Sequence, residues 1–184
     1  MQFKNLIVLA GLASAAPNPD VVTFKGTVLR SASPIHHQPV QASMNGLAVK
    51  LNDQGASCDR GAKENDATFV LNKKTGELLL YSRSNPRQQL YTDRSGMGQG
   101  LLGYRTGAQP LCTRCEQDKW AINKDGLLQY DGTNYRACPQ EDGSYTLWVS
   151  NVYNPGGNKD CVAASIVTSK VDEPVGCLYS QQGQ

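Results

Sequence analysis

From Asp20 onward the chain is written in short runs of branched and aromatic residues separated by turn signals, the pattern of an all-β domain. Val21 to Leu29 alternates loosely and predicts a first strand, and Leu47 to Leu51 a second. Between them, residues 31 to 42 read as a loop, with Pro34 and Pro39 on either side of His36 and His37. Ala67 to Leu71 and Glu77 to Tyr81 flank Asn72-Lys73-Lys74-Thr75-Gly76, a five-residue hairpin loop ending in glycine. Gln88 to Thr92 adds a further strand. The strongest local signal follows: Trp120 to Asn123, Leu127 to Tyr130, Tyr135 to Cys138 and Tyr145 to Val149 are divided by Asp125-Gly126, Asp131-Gly132 and Asp142-Gly143. Asp-Gly tolerates the positive φ of tight turns, so the stretch predicts a four-stranded meander. Asn154 to Asn158 marks a loop, and Ile166 to Val171 and Val175 to Tyr179 form closing strands. No segment carries helical periodicity. The expected architecture is a single-domain antiparallel β-sandwich or flattened β-barrel with Gly/Pro-rich loops.

One segment breaks the pattern. Lys4 is followed by the apolar run Leu6 to Ala13 and then Ala13-Ser14-Ala15, which reads as a secretory signal peptide over residues 1–15. The run is shorter than the roughly 20 residues that cross a bilayer, and no later segment is long and apolar enough to do so. The expected mature domain is 16–184, outside the membrane. Secretion changes the meaning of the six cysteines, Cys58, Cys112, Cys115, Cys138, Cys161 and Cys177: an even count in an oxidising compartment predicts three disulfides, with fifteen pairings open. The formal net charge is only +2 and none of the 18 Lys and Arg forms a run, which argues against nucleic acid as a partner.

Candidate chemistry is sparse. Gly98 to Gly103 spells G-x-G-x-x-G, but a nucleotide loop needs a buried strand before it and a helix after it. Tyr91 to Met97 is too polar for the first, and Gly107 and Pro110 forbid the second. The five glycines between Asp93 and Pro110 therefore read as turns, bulges or close backbone approaches, and no cofactor is expected. Cys112-Thr113-Arg114-Cys115 could be a redox pair or half a zinc site, but no second half exists and Pro110 precedes it; a structural disulfide, local or cross-linked, is the better reading. His36 and His37 would point apart in an extended loop and read as solvated rather than metal-binding. A glycosidase would need two carboxylates, and Asp59, Glu64, Asp66 and Asp93 are available; Asp93, Asp125, Asp131 and Asp142 read first as turn residues. No catalytic set is expected. Trp120, Tyr130, Tyr135, Tyr145, Trp148 and Tyr153 cluster in and after the meander; the tryptophans are large enough to favour the core, but on a sheet face they would suit a polysaccharide.

Ser57-Cys58-Asp59-Arg60, the block Asp93 to Gly100 through Gly103-Tyr104 and Thr106 to Pro110, Trp120, Ala137-Cys138-Pro139, Trp148, Asn154-Pro155-Gly156-Gly157-Asn158, Asp160-Cys161, Cys177 and Tyr179 together resemble the PhiA family of fungal cell wall proteins. A fainter likeness joins residues 94 to 150 to the cysteine-containing terminal domain of yeast wall proteins with internal repeats, whose Gln-rich repeats are absent here. The PhiA resemblance implies a secreted, wall-associated, non-catalytic protein of filamentous fungi, needed for phialide and conidium development. Relatives of this type include allergens and secreted proteins that trigger cell death in plants, which implies a cell wall polysaccharide or a host receptor as partner. The family's cysteines correspond to Cys58, Cys138, Cys161 and Cys177, so the resemblance also implies that Cys112 pairs with Cys115. The Asp93 to Pro110 block is the first place to seek a binding surface. Asp93, Arg94, Met97, Gln99 and Tyr104, with Trp120 and Trp148, are its candidate residues.

Overall fold

Alternating side chains put one face of each strand into a core and leave the other to solvent, and here the strands wrap until the sheet meets itself. A computed structural model describes residues 18–84 and 86–182; the expected signal segment lies outside the described residues. In chain order the strands are β1 (Val21–Leu29), β2 (Gln41–Ser43), β3 (Gly46–Val49), β4 (Ser57–Cys58), β5 (Thr68–Asn72), β6 (Glu77–Leu80) and β7 (Gln88–Asp93). There follow β8 (Leu101–Thr106), β9 (Cys115–Glu116), β10 (Trp120–Ile122), β11 (Leu127–Tyr130), β12 (Tyr135–Pro139), β13 (Tyr145–Val149), β14 (Val162–Lys170) and β15 (Cys177–Leu178). Among the described residues the only helical pieces are two 3₁₀ turns, Asp59–Gly61 and Pro155–Gly157.

The strands run β1-β5-β6-β7-β8-β3-β13-β12-β14, and β14 pairs again with β1 over six residue pairs from Phe24↔Lys170 to Leu29↔Ser165. An antiparallel barrel is closed by this step, so the ring has no free edge. Phe24, Leu71, Leu78, Leu90, Leu102, Leu147 and Ile166 fill its interior.

A wide ring has open ends, and each end is filled. At one, β11 leaves β14 at Leu128↔Ile166 and the β10–β11 hairpin reaches the β5–β6 turn, where the Lys119 and Trp120 N–H groups donate to the Gly76 carbonyl. Trp120 is thereby buried, edge-on to Tyr130. At the other end lies Tyr179. Its backbone exchanges hydrogen bonds with the buried Gln88 side chain, and its hydroxyl accepts from the Thr68 N–H at 2.9 Å. The Cys58–Cys177 disulfide, inside the small β4–β15 pair, ties this end down. Closing a loop of 119 residues is worth about 5 kcal/mol in the chain-entropy picture.

Three expectations are corrected. The expected meander is split, because β14 lies between β11 and β12, and the two hairpins never pair with each other. Gln41 and Ala42, at the end of the expected loop, form β2 with Ser43 and turn into β3 through Met44 and Asn45, both at positive φ. Leu101 to Thr106, inside the glycine block, is a full barrel strand pairing with β7 over six residues.

Burial raises the pKa of Tyr104, Tyr130 and Tyr135, with the Glu116 carboxylate adding to the effect at Tyr130, and pushes Tyr179 up to about 12. An unfolded tyrosine ionises near about 10. Above that pH the unfolded chain sheds protons that the folded chain keeps, so this stability is complete below pH about 10 and falls as pH rises toward the folded values. The unfolding free energy from urea titrations should be flat from pH 8 to about 9.5 and then fall by about 1.4 kcal/mol per pH unit for each tyrosine, with the midpoint falling in step. Unchanged midpoints at pH 11 would contradict the burial of all four.

Candidate functional site

The barrel wall has one weak seam, between β8 and β13. The short β3 lies between them, pairing with β13 at Val49↔Tyr145 and Ala48↔Thr146 but with β8 only at Gly46↔Gly103. Beyond the end of β3, β8 and β13 meet directly at a single pair, Leu101↔Trp148. Leu147 and Val149 point into the core, so Trp148 between them points outward, beside Leu101. Where β3 runs out the wall opens into a groove of about 410 Å³. Its floor reaches Leu47 and Leu147, and its rim is Met44, Leu101 and Trp148. None of the sixteen residues lining it is charged.

The glycine block builds this seam. Asp93 closes the β7–β8 loop on itself: its carboxylate accepts the Ser95 N–H and its carbonyl the Gly100 N–H at 2.7 Å. At Gly100, with φ at +93°, a Cβ would stand 1.9 Å from the Val149 carbonyl oxygen. Only glycine allows that approach, and with it the Val149 N–H donates to the Gly100 carbonyl at 2.9 Å. Tyr91 lies across the bare backbone of Gly103, its cross-strand partner. Trp148 is held from the far side: a Cβ on Gly156 would be 2.5 Å from the indole, and the Gly156 N–H donates to Gln99 Oε1 at 2.9 Å. The indole N–H donates to Thr146 Oγ1. Two separate sequence blocks, Asp93 to Pro110 and Asn154 to Asn158, thus converge on one partly exposed ring.

The seven residues expected to form a binding surface do not stay together. Trp148 lies at the seam, Gln99 reaches the Gly156 that backs it, and Asp93 holds its loop. Tyr104 and Trp120 are only 1 % and 2 % exposed, so they leave the surface for the core; each is an inward position of the closed ring or its plug. Arg94 is engaged with Glu116 and Asp131, both at 2.9 Å, and lies over the Tyr130 ring. Hydrogen bonds from Lys119, Arg94 and Tyr130 hold the Glu116 carboxyl below the usual range. Met97 stands 93 % exposed at the loop tip. Met44, Tyr91, Leu101 and Gln182 were not anticipated. The legible signal was Met44, an apolar residue just before Asn45-Gly46, where a turn ordinarily carries polar side chains.

Elsewhere the candidate groups are occupied. Cys112–Cys115 and Cys138–Cys161 are disulfides beside Cys58–Cys177. Glu64 and Asp66 both clasp Lys25, at 2.7 and 2.9 Å, and Asp59 faces Arg83. Asp142 caps its own turn through Ser144. His36 and His37 do not point apart: His37 has φ at +61°, and the turn stacks the two rings at 3.8 Å, with His36 Nδ1 accepting the Arg30 N–H.

Residues 24–180 match the family described as PhiA-like secreted protein. The chain is 38 % identical over 188 residues to the cell wall protein phiA of Aspergillus fumigatus, covering 98 % of this chain and 100 % of that one. It is 39 % identical over 178 residues to the cell wall protein phiA of Emericella nidulans, covering 95 % of each. No solved structure matches it.

Replacing Gly100 by alanine should cost about 3 kcal/mol or more, from the clash and the strained φ together. Gly156→Ala should cost less, about 1–3 kcal/mol, and make Trp148 more accessible to acrylamide quenching. Chemical denaturation followed by tryptophan fluorescence measures both; stabilities within about 0.5 kcal/mol of the parent would mean that the seam does not need these glycines.

Proposed function

The chain belongs to the PhiA-like family of secreted proteins, and from that membership we propose that it is a non-catalytic protein of the fungal cell wall that takes part in forming asexual structures, phialides and conidia. The observation that carries this reading is near-full-length similarity to relatives named cell wall protein, at 35–39 % identity. Three disulfides and a barrel plugged at both ends suit long residence outside the cell. The non-catalytic part is supported by the fate of the carboxylates: Glu64 and Asp66 neutralise Lys25, Asp59 faces Arg83, and Asp93 and Asp142 hold turns.

Deletion of the coding gene in its source fungus, in a background without a paralogue, should lower the conidial count and deform phialides, with recovery on reintroduction. The protein itself should be retained in the washed wall fraction of sporulating mycelium. Normal conidiation, with the protein wholly in the culture medium, would defeat the proposal.

A further inference from the structure

A secreted protein that holds a tryptophan at its surface, next to further exposed apolar side chains, is keeping a contact area open. Met44 is 54 % exposed and Leu101 42 % exposed, and both border the groove beside Trp148. Trp148 has its only polar atom satisfied by Thr146, so what it can offer a ligand is its ring. The ring is also fixed in place, backed by Gly156 and hydrogen-bonded to Thr146, so little side-chain freedom remains to be lost on binding.

The lining selects the ligand's chemistry. Among the described residues no charged side chain lines the groove, which fits a neutral ligand and leaves an ionic one without a counter-charge. Two polar groups are uncommitted: the Tyr91 hydroxyl and the Gln182 side-chain amide line the groove and have no hydrogen-bond partner among the described residues. A neutral ligand with C–H faces to stack on an indole and hydroxyl or amide groups for Tyr91 and Gln182 is a sugar chain. The walls narrow the class further. Met44, Leu47, Leu51 and Leu101 give more apolar surface than hydroxyls alone would use, and they suit the methyl of an N-acetyl substituent.

We propose that the seam groove around Trp148 is a binding site for a neutral, β-linked N-acetylhexosamine chain, of the chitin class. This deepens the wall reading, on which it rests only for where such a chain would be met. Pyranose rings stack on Trp148, acetamido methyls enter the apolar wall formed by Met44 and Leu101, and Tyr91 and Gln182 bond the polar groups. The site is open at the surface and holds a chain without acting on it.

Titration of the secreted protein with the N-acetylglucosamine hexamer, followed by tryptophan fluorescence and amide NMR, tests this directly. Saturable binding is expected, with shifted amides confined to β3, β8, β13 and the Gly156 loop. Trp148→Ala should weaken binding at least about tenfold. Because that variant could also loosen the seam, Leu101→Ser and Met44→Ser, at exposed positions, should each weaken binding with an unchanged urea midpoint. Equal or tighter binding of a β-1,3-glucose hexamer would overturn the N-acetyl assignment. No sugar binding, with uptake only of the apolar dye anilinonaphthalene sulfonate, would overturn the site altogether. Tight hexamer binding by a protein absent from the wall fraction would leave this site standing and remove the wall function instead.

Discussion

The Val149 carbonyl oxygen occupies the space that a side chain at residue 100 would need, and the direct approach of β8 to β13 in the barrel wall rests on that contact. Elsewhere the ring is joined by ladders of two to six residue pairs, six of them between β1 and β14 and again between β7 and β8. Between β8 and β13 there is one direct pair, with the small β3 as a wedge beside it. A seam with so little ladder depends on how closely the two backbones approach, and glycine at residue 100 sets that distance. The same economy leaves the wall open where β3 ends. The groove is thus the other face of the closure: a full ladder at this point would leave no space for a ligand.

Rigidity there comes from elements far apart in sequence. Asp93 folds its loop back onto Gly100, Gln99 reaches the Gly156 N–H, and Gly156 backs the Trp148 ring. Each of these contacts lies outside the core, so none adds much burial. Their joint effect is to hold one aromatic ring at a set angle on an otherwise unremarkable outer face. That accounts for the length of the Asp93 to Pro110 block, which serves a turn, a close approach and a strand in succession.

Elements whose signals are complete within a few residues are legible in the sequence. β1, β11 and β13 have the predicted bounds, because alternation and Asp-Gly turns are local properties. Leu101 to Thr106 is not legible as a strand, since Gly103 depresses strand propensity and the ring of Tyr91 that covers it is twelve residues away. The sequence presents a continuous meander because two successive hairpins carry the same local pattern whether or not they pair. β14, arriving after residue 160, separates them.

The chain's own order of residues determined the all-β class, the positions of most strands and turns, and the family, because each depends on short-range pattern or on residue identity. Tertiary structure alone decided which of two tryptophans is core and which is surface. Trp120 and Trp148 both sit in short strands beside apolar residues. One is carried across a barrel end and sealed against Tyr130, and the other is turned outward at a seam. The physical reason is that burial is a property of closure. Until β14 meets β1 and Gly100 meets Val149, neither face of the sheet is inside.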